Sequence, residues 1–348
     1  MEIKQVDIGE VDGLVVKSVT MKNDNGMSIE CSNYGCAITK VCVPNKLGEI
    51  ENVVLGYKTL QEYINDTQYV GVVVGRVGGR IHNSEFELNG TIYKLTENEK
   101  TNHLHGGFKG LSSVIWDIQL IENIDYLEVK FTHTSFDGEE GYPGNINLTV
   151  SYRLTQENEL LITYDGTSDK DTIVSMTNHS YFNLSGNAKR NVLNHRLTLK
   201  SNEYVELNKD LIPTGAILDV INTPFDFREG KTLVEGVQSQ HPQINIVGNG
   251  YDHPFILNTN HQSEIELSEA ECGIKLIVET NNPCVVIYSA NFLNAKGIVK
   301  DDVSGKYLGI CLETQGIPDS INHSNFPSIV LKKGEKYHTE TKYRFGLL

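Results

Sequence analysis

Five polar residues scattered along the chain, Arg80, His105, His179, Asp252 and Glu313, are of the types that move protons and hold hydroxyl groups. An imidazole with an unperturbed pKa of about 6.5 gives or takes a proton near neutrality. A glutamate with a reference pKa of about 4.3 is ionised at pH 7 and can serve as a general base. A guanidinium offers a fork of hydrogen-bond donors. The chain has no nucleophilic serine or cysteine motif, no complete metal-ligand set at a recognised spacing and no nucleotide loop. The inventory therefore suits proton transfer on a neutral, hydroxyl-rich ligand, for which one placed acid and one placed base suffice.

Each residue sits in a short segment that admits a plainer reading. Thr177-Asn178-His179-Ser180-Tyr181-Phe182-Asn183 follows the β-branched run Thr172 to Met176, which predicts a strand. Alternation would then put His179, Tyr181 and Asn183 on one side and Asn178, Ser180 and Phe182 on the other. Taken alone, His179 could equally be a buried structural histidine. Gly75-Arg76-Val77-Gly78-Gly79-Arg80-Ile81 is no phosphate loop, because it lacks Gly-Lys-Ser/Thr and a following helix pattern. It reads either as a bend with solvent-exposed arginines or as a guanidinium fork held against a polar ligand. Asn102-His103-Leu104-His105-Gly106-Gly107 carries two histidines that would share a face of a strand, yet no carboxylate or cysteine stands near enough to complete a metal set. The expectation is no metal. Asp252 in Gly250-Tyr251-Asp252-His253-Pro254-Phe255 reads as an Asx-type turn or as a carboxylate for sugar hydroxyls. Glu313 ends the apolar run Tyr307 to Leu312, where a carboxylate is costly unless it is paired, used or exposed at an edge.

The elements that must bring these residues together are mostly strands. Ser84 to Leu95 is two alternating runs around Asn89-Gly90, the strongest short hairpin signal. Alternating segments at 28–42, 116–120, 126–133, 146–154, 159–165, 195–200, 264–267, 274–279, 284–288 and 307–313 extend the pattern. Helix signals are few: Thr59-x-x-Glu62 is a capping box before Tyr63-Ile64, and Leu233 to Val237 suits a turn or two. No βαβ rhythm, fixed-period repeat or low-complexity linker is present. The expected fold is all-β, one large, mostly antiparallel β-sandwich spanning residues 1–348 as a single domain.

The formal net charge of -15 argues against nucleic acid and anionic membrane surfaces as partners. No apolar run approaches the roughly 20 residues a bilayer requires, and the start of the chain lacks an apolar signal-peptide core. The six cysteines form no Cys-x-x-Cys pair and read as reduced, mostly buried residues of a cytoplasmic protein. Edge strands could pair subunits, so monomer and homodimer are both compatible.

Seven segments, in one order, give a further signal. They are Gly-Arg-Val-Gly-Gly-Arg-Ile at 75–81, Asn-His-Leu-His-Gly-Gly at 102–107, Thr-Asn-His-Ser-Tyr-Phe-Asn-Leu at 177–184, Leu-Ile-Pro-Thr-Gly at 211–215, Thr-Pro-Phe-Asp-Phe-Arg at 223–228, Tyr-Asp-His-Pro-Phe at 251–255 and Leu-Glu-Thr-Gln at 312–315. With them the chain resembles the galactose mutarotase (aldose 1-epimerase) family. The resemblance implies a large β-sandwich with a sugar in an open cleft, Glu313 as general base, His179 as general acid and His105 assisting across the ring. It also implies Arg80 and Asp252 holding hydroxyls, with Asn178 and Gln315 as further sugar contacts. The activity implied is interconversion of α and β anomers of a free aldohexose such as galactose or glucose, with no cofactor and a bell-shaped pH profile. Gly79 departs from the Asn-Arg pair of many members, which bears on substrate preference. A hexose-6-phosphate epimerase and a non-catalytic sugar-binding protein on the same scaffold are the competing readings.

Overall fold

The computed structural model describes residues 1–257, 265–298 and 305–348. Its framework is three antiparallel sheets. The largest has nine strands: Asp117–Glu122, Tyr126–Ser135, Ile146–Thr155, Glu159–Ser168, Lys336–Leu347, Ile274–Thr280, Ile265–Glu269, Arg196–Leu199 and Lys231–Thr232, in that spatial order. The first four are the strands expected at 116–120, 126–133, 146–154 and 159–165, and they pair in sequence order as a meander. The chain end closes it by pairing Glu159 with Arg344 on one side and Ile274 with Leu347 on the other.

A six-stranded sheet lies against it, in the spatial order Tyr181–Phe182, Ile310–Gln315, Cys284–Tyr288, Asp252–Ile256, Glu203–Leu207 and Pro213–Asp219. Strand alternation splits its side chains between two destinations. Ile310, Leu312, Val285, Ile287 and Phe255 point to the nine-stranded sheet and join the main core with Ile162, Leu276, Val278, Tyr343 and Phe345. The seam is tied by Thr314 Oγ1 to Thr341 Oγ1 at 2.5 Å and by Tyr343 packing on Phe182 with tilted rings at 5.3 Å. The intervening residues, including Cys311, Glu313 and Gln315, face the other way. That second face carries the site.

A third sheet of five strands runs through Glu2–Val11, Leu14–Lys22, Ser28–Ser32, Ile38–Pro44 and Ile50–Asn52. Its inner residues, Val19, Met21, Ile29 and Val41 among them, enter the same core. The Asn89-Gly90 hairpin forms as expected, with both turn residues at positive φ (53° and 77°) between Glu85–Leu88 and Thr91–Lys94. The Thr59–Glu62 capping box also forms, reciprocal in both directions, ahead of Leu60–Ile64, and Leu233–Val237 is helical. A further helix, Pro242–Ile246, starts with proline in its first turn and His241 as a side-chain cap. The expected strand at 264–267 is described from Ile265 on, Glu264 lying outside the described residues.

Two expectations need correction. The run from Thr172 to Met176 is not one strand. Thr172–Ile173 pairs with Val330–Leu331, Ser175 bridges Val77, and Thr177–Asn178 pairs with Val73–Val74. The segment is stitched across three partners as it crosses the sandwich edge. Arg76 is neither solvent-exposed nor turned to a ligand. It is 2% exposed and donates to Ser135 Oγ and to the carbonyls of Ser135, Phe136 and Pro143. A guanidinium inside protein needs such a full complement of acceptors. Arg76 anchors the glycine-rich segment to the nine-stranded sheet, and this in turn fixes Arg80.

All six cysteines are free, and all but Cys42 are buried. Among the described residues no helix is long and apolar enough to cross a membrane.

Candidate active site

The outward face of the six-stranded sheet floors a cavity of about 420 Å3, within the range of small-molecule sites. Alternation selects its lining strand by strand. The Glu313 strand supplies Glu313 and Gln315, its neighbour Val286 and Tyr288, the next Asp252 and Pro254, and the short Tyr181 strand supplies Tyr181. Register places them side by side, with Val286 opposite Glu313 and Asp252 opposite Tyr288. The wall is built by the glycine-rich segment and the His105 loop, which pair through Leu104 with Arg80 and His103 with Ile81. The edge segment after Thr177–Asn178 brings in His179, whose backbone is held by Val72 and Gly71 at 2.9 and 3.0 Å.

These elements bring Arg80, His105, His179, Asp252, Glu313 and Gln315 to one cavity. His179 Nε2 lies 3.5 Å from Glu313 Oε1, with the two residues 5% and 3% exposed. His105 meets His179 edge to face at 5.3 Å, and Tyr69 covers both rings at 4.6 and 6.1 Å. Tyr181 packs on the other side of His179 at 5.0 Å. Arg80 holds a bidentate pair to Glu99, at 2.6 and 2.7 Å. Gln315 Oε1 is buried with no hydrogen-bond partner among the described residues, while its amide nitrogen donates to Gly78 O. A buried acceptor without a partner is costly.

Asn178 does not line the cavity. Its amide donates to Gly71 O at 2.8 Å and its oxygen accepts from Ser180 N, both buried on the side away from His179. The two-residue period that turns His179 and Tyr181 inward turns Asn178 outward. Asn183 also departs, because the chain turns after Phe182 and the amide caps the carbonyls of Arg190 and Leu308. His103 does not share a face with His105. The strand ends at Leu104 and His105 has φ of 51°, so His103 is buried instead between Thr96 O and the Tyr142 hydroxyl. Sequence reasoning missed Glu99, Tyr69 and Tyr288. Their roles depend on contacts made across the fold, and nothing local marks them.

Burial dominates the electrostatics. It pushes Glu313 well above the usual carboxylate range, a trend that Asp252 strengthens and Arg80 opposes. It lowers His179 to about 4 and His105 well below its ordinary value, His105 being further depressed by His179 and Arg80. Asp252 is raised to about 6 by burial, against the pull of Arg80. The donor atoms of His105, His179 and Glu313 lie within 4.8 Å of one another, a spacing that a metal ion could bridge. The hydrogen bonding favours a different use. Gly79 N–H donates to His105 Nδ1 at 3.2 Å, so the neutral ring carries its proton on Nε2. A cation at either nitrogen would have to displace that proton or that bond.

A glycine occupies position 79 for a steric reason. Its φ is +79°, and a Cβ there would lie 2.8 Å from Pro318. The departure from Asn-Arg is therefore matched by a proline pressed against the same backbone.

The aldose 1-epimerase family model matches residues 17–344. The chain belongs to the aldose 1-epimerase family. It is 36% identical to the galactose mutarotase of Rattus norvegicus, over 96% of this chain and 95% of the rat protein. The aldose 1-epimerase of Haemophilus influenzae is 34% identical over 99% of both chains. In three dimensions it is similar to the galactose 1-epimerase of Lactobacillus acidophilus, with a TM-score of 0.90 and 31% identity over 99% of both chains. As an aldose 1-epimerase the protein is an isomerase that interconverts sugar anomers.

Proposed function

We propose that the cavity opens and recloses the pyranose ring of a free aldohexose, galactose or glucose, with Glu313 as base and His179 as acid. The observation that carries this reading is the 3.5 Å apposition of His179 Nε2 and Glu313 Oε1 on one buried cavity floor. Glu313 takes the proton of the C1 hydroxyl as C1=O forms. The C1–O5 electron pair moves to O5, which takes the proton from His179. The open aldehyde turns about C1–C2. Reclosure returns the O5 proton to His179 and the Glu313 proton to the C1 oxygen of the other anomer. One proton enters the pair and one leaves it in each half-reaction, so no redox partner is consumed.

The empty pair is driven by burial toward a neutral imidazole and a neutral acid. A bound sugar that donates hydroxyl bonds to Glu313 favours its carboxylate, and the proton then resides on His179. Arg80, fixed by its bidentate pair to Glu99, and Asp252 sit where they can hold the remaining hydroxyls. His105 lines the cavity beside His179, its ring edge to face with it at 5.3 Å.

Phosphorylated sugars fit less well. Among the described residues lining the cavity, Arg80 is the one lysine or arginine, and it stands with Glu99, Asp252 and Glu313. A phosphate would meet more negative charge than positive. The test is polarimetry on freshly dissolved α-galactose, α-glucose and α-glucose 6-phosphate. Rapid approach to equilibrium rotation with the free sugars, and slow approach with the phosphate, is expected. Binding of galactose without acceleration would replace the enzyme reading with a binding module.

Asp252 gives a pH prediction. Its carboxylate accepts charge-assisted hydroxyl bonds at both oxygens when ionised and weaker ones when protonated, and its pKa is raised to about 6. KM should therefore rise as pH falls from 7 to 5, and Asp252→Asn should show a higher KM that no longer varies over that interval. A variant that keeps the wild-type slope would show that another group titrates there.

A further inference from the structure

The Arg80–Glu99 pair is built from the backbone outward. Leu104 pairs with Arg80 in a two-residue ladder. The Asn98 side chain brackets Leu104, accepting from its N–H at 2.7 Å and donating to its carbonyl at 2.9 Å. Glu99 follows at once and closes a turn with Asn102 through two backbone bonds of 2.9 and 3.0 Å. That turn delivers the Glu99 carboxylate to Nε and Nη2 of Arg80, at 2.6 and 2.7 Å. Nη1 makes no such bond among the described residues, and both side chains line the cavity.

We propose that Glu99 is a specificity-determining residue: by filling one bidentate edge of Arg80 and cancelling its charge, it restricts the cavity to neutral aldoses and turns away anionic ones such as hexuronates and sugar phosphates. This rests on the reading of the cavity as the site of anomer interconversion. A guanidinium grips a carboxylate or phosphate through two parallel N–H bonds, along Nε and Nη2 or along Nη1 and Nη2. Glu99 takes the first edge. The donors left on Nη1 suit a hydroxyl oxygen, which brings no charge to be balanced. Arg80 is the one lysine or arginine among the described lining residues, so no second cation replaces the charge that Glu99 cancels. Discrimination of this kind works by repelling the wrong ligand as much as by attracting the right one.

Asp252 supplies an independent readout. It is faced by Arg80 and Glu99 from the wall, by Tyr288 from the adjoining strand and by Glu313 from the strand beyond. The Glu99 charge adds to the rise in the Asp252 pKa, and Arg80 opposes it. Neutralising Glu99 should therefore move the acid-side rise in KM to lower pH, which a merely structural loss would not do.

The experiment compares α-galactose with α-galacturonic acid, which carries a carboxylate at C6, by polarimetry at pH 7 on wild type, Glu99→Gln and Glu99→Asp. Wild type should prefer galactose by at least about tenfold in kcat/KM, and Glu99→Gln should raise the galacturonate-to-galactose ratio by at least about tenfold. The same variant should raise KM for galactose severalfold, because Arg80 is less firmly held. Glu99→Asp keeps the charge and should keep the wild-type ratio. Equal turnover of both sugars by wild type would overturn the proposal, and so would an unchanged ratio in Glu99→Gln. A ratio that shifts alike in both variants would also overturn it, since charge would not be the cause. If wild type accelerates neither sugar, the functional reading fails instead. Calorimetric titration of the two sugars into the same three proteins then still decides whether Glu99 sets the charge preference.

Discussion

Glu313→Gln should lose activity by about 10²–10⁴-fold, the range of a positioned general base, while its melting temperature at alkaline pH rises above wild type. Glutamine is the shape of the neutral acid, so it removes the base without opening a cavity. The stability half follows from proton linkage. The folded-state pKa of Glu313 is raised by burial, so the folded protein binds this proton more tightly than the unfolded chain. The stabilisation is fully present below the unfolded value of about 4.3 and is lost as pH rises through the folded value. A glutamine cannot ionise and suffers no such loss. Wild type and variant should therefore melt alike near pH 4 and diverge toward pH 8, with the variant more stable. Polarimetry on α-galactose reads the first effect and calorimetry across pH reads the second. Loss of activity with a lower melting temperature at every pH would mean that the carboxylate is structural.

His179→Asn should cost a comparable 10²–10⁴-fold in kcat, and Glu313→Gln combined with it should cost no more than about tenfold beyond the worse single variant. The two groups hand one proton in and one proton out, so removing either leaves the other without its half of the exchange. Losses that multiply in full would place them in independent roles. The stability sign is opposite to that of Glu313. Burial lowers His179 to about 4, so the unfolded chain takes up this proton first. Its contribution is present above pH of about 6.5 and is lost as pH falls through 4. His195, also lowered to about 4, has the same effect. The asparagine variant should lose less stability than wild type between pH 6.5 and 4.

Local signals in the chain read well and long-range ones did not. Asn89-Gly90 and Thr59-x-x-Glu62 each determine their element through neighbours in sequence, and both elements are present. The hairpin of Glu2–Val11 and Leu14–Lys22 carries an equally local signal in Asp12-Gly13, both at positive φ, and is an element the expected strands did not include. Arg76 and Arg80 look alike in the sequence, four residues apart in a glycine-rich run. One is consumed by carbonyls of residues 135, 136 and 143, and the other meets Glu99 at the cavity wall. No pattern within the segment separates them. Asn178 shows the converse. The alternation that brings His179 to the cavity, applied consistently, already turns its neighbour away. The convergence of His105, His179 and Glu313 was inferred from family likeness, since spacing alone places none of them together.

The packing of Gly79 on Pro318 bears on how this site can change over generations. A side chain at 79 would need both a strained backbone and room that the proline's ring already occupies. The dependence runs one way: an asparagine at 79 has no free path while Pro318 stands. Gly78 is tied likewise to Gln315, whose oxygen would lie 2.5 Å from a Cβ there. At 78 the obstacle is the end of a side chain that can swing away, whereas at 79 it is a proline ring that cannot, so a change at 79 requires a change at 318 first.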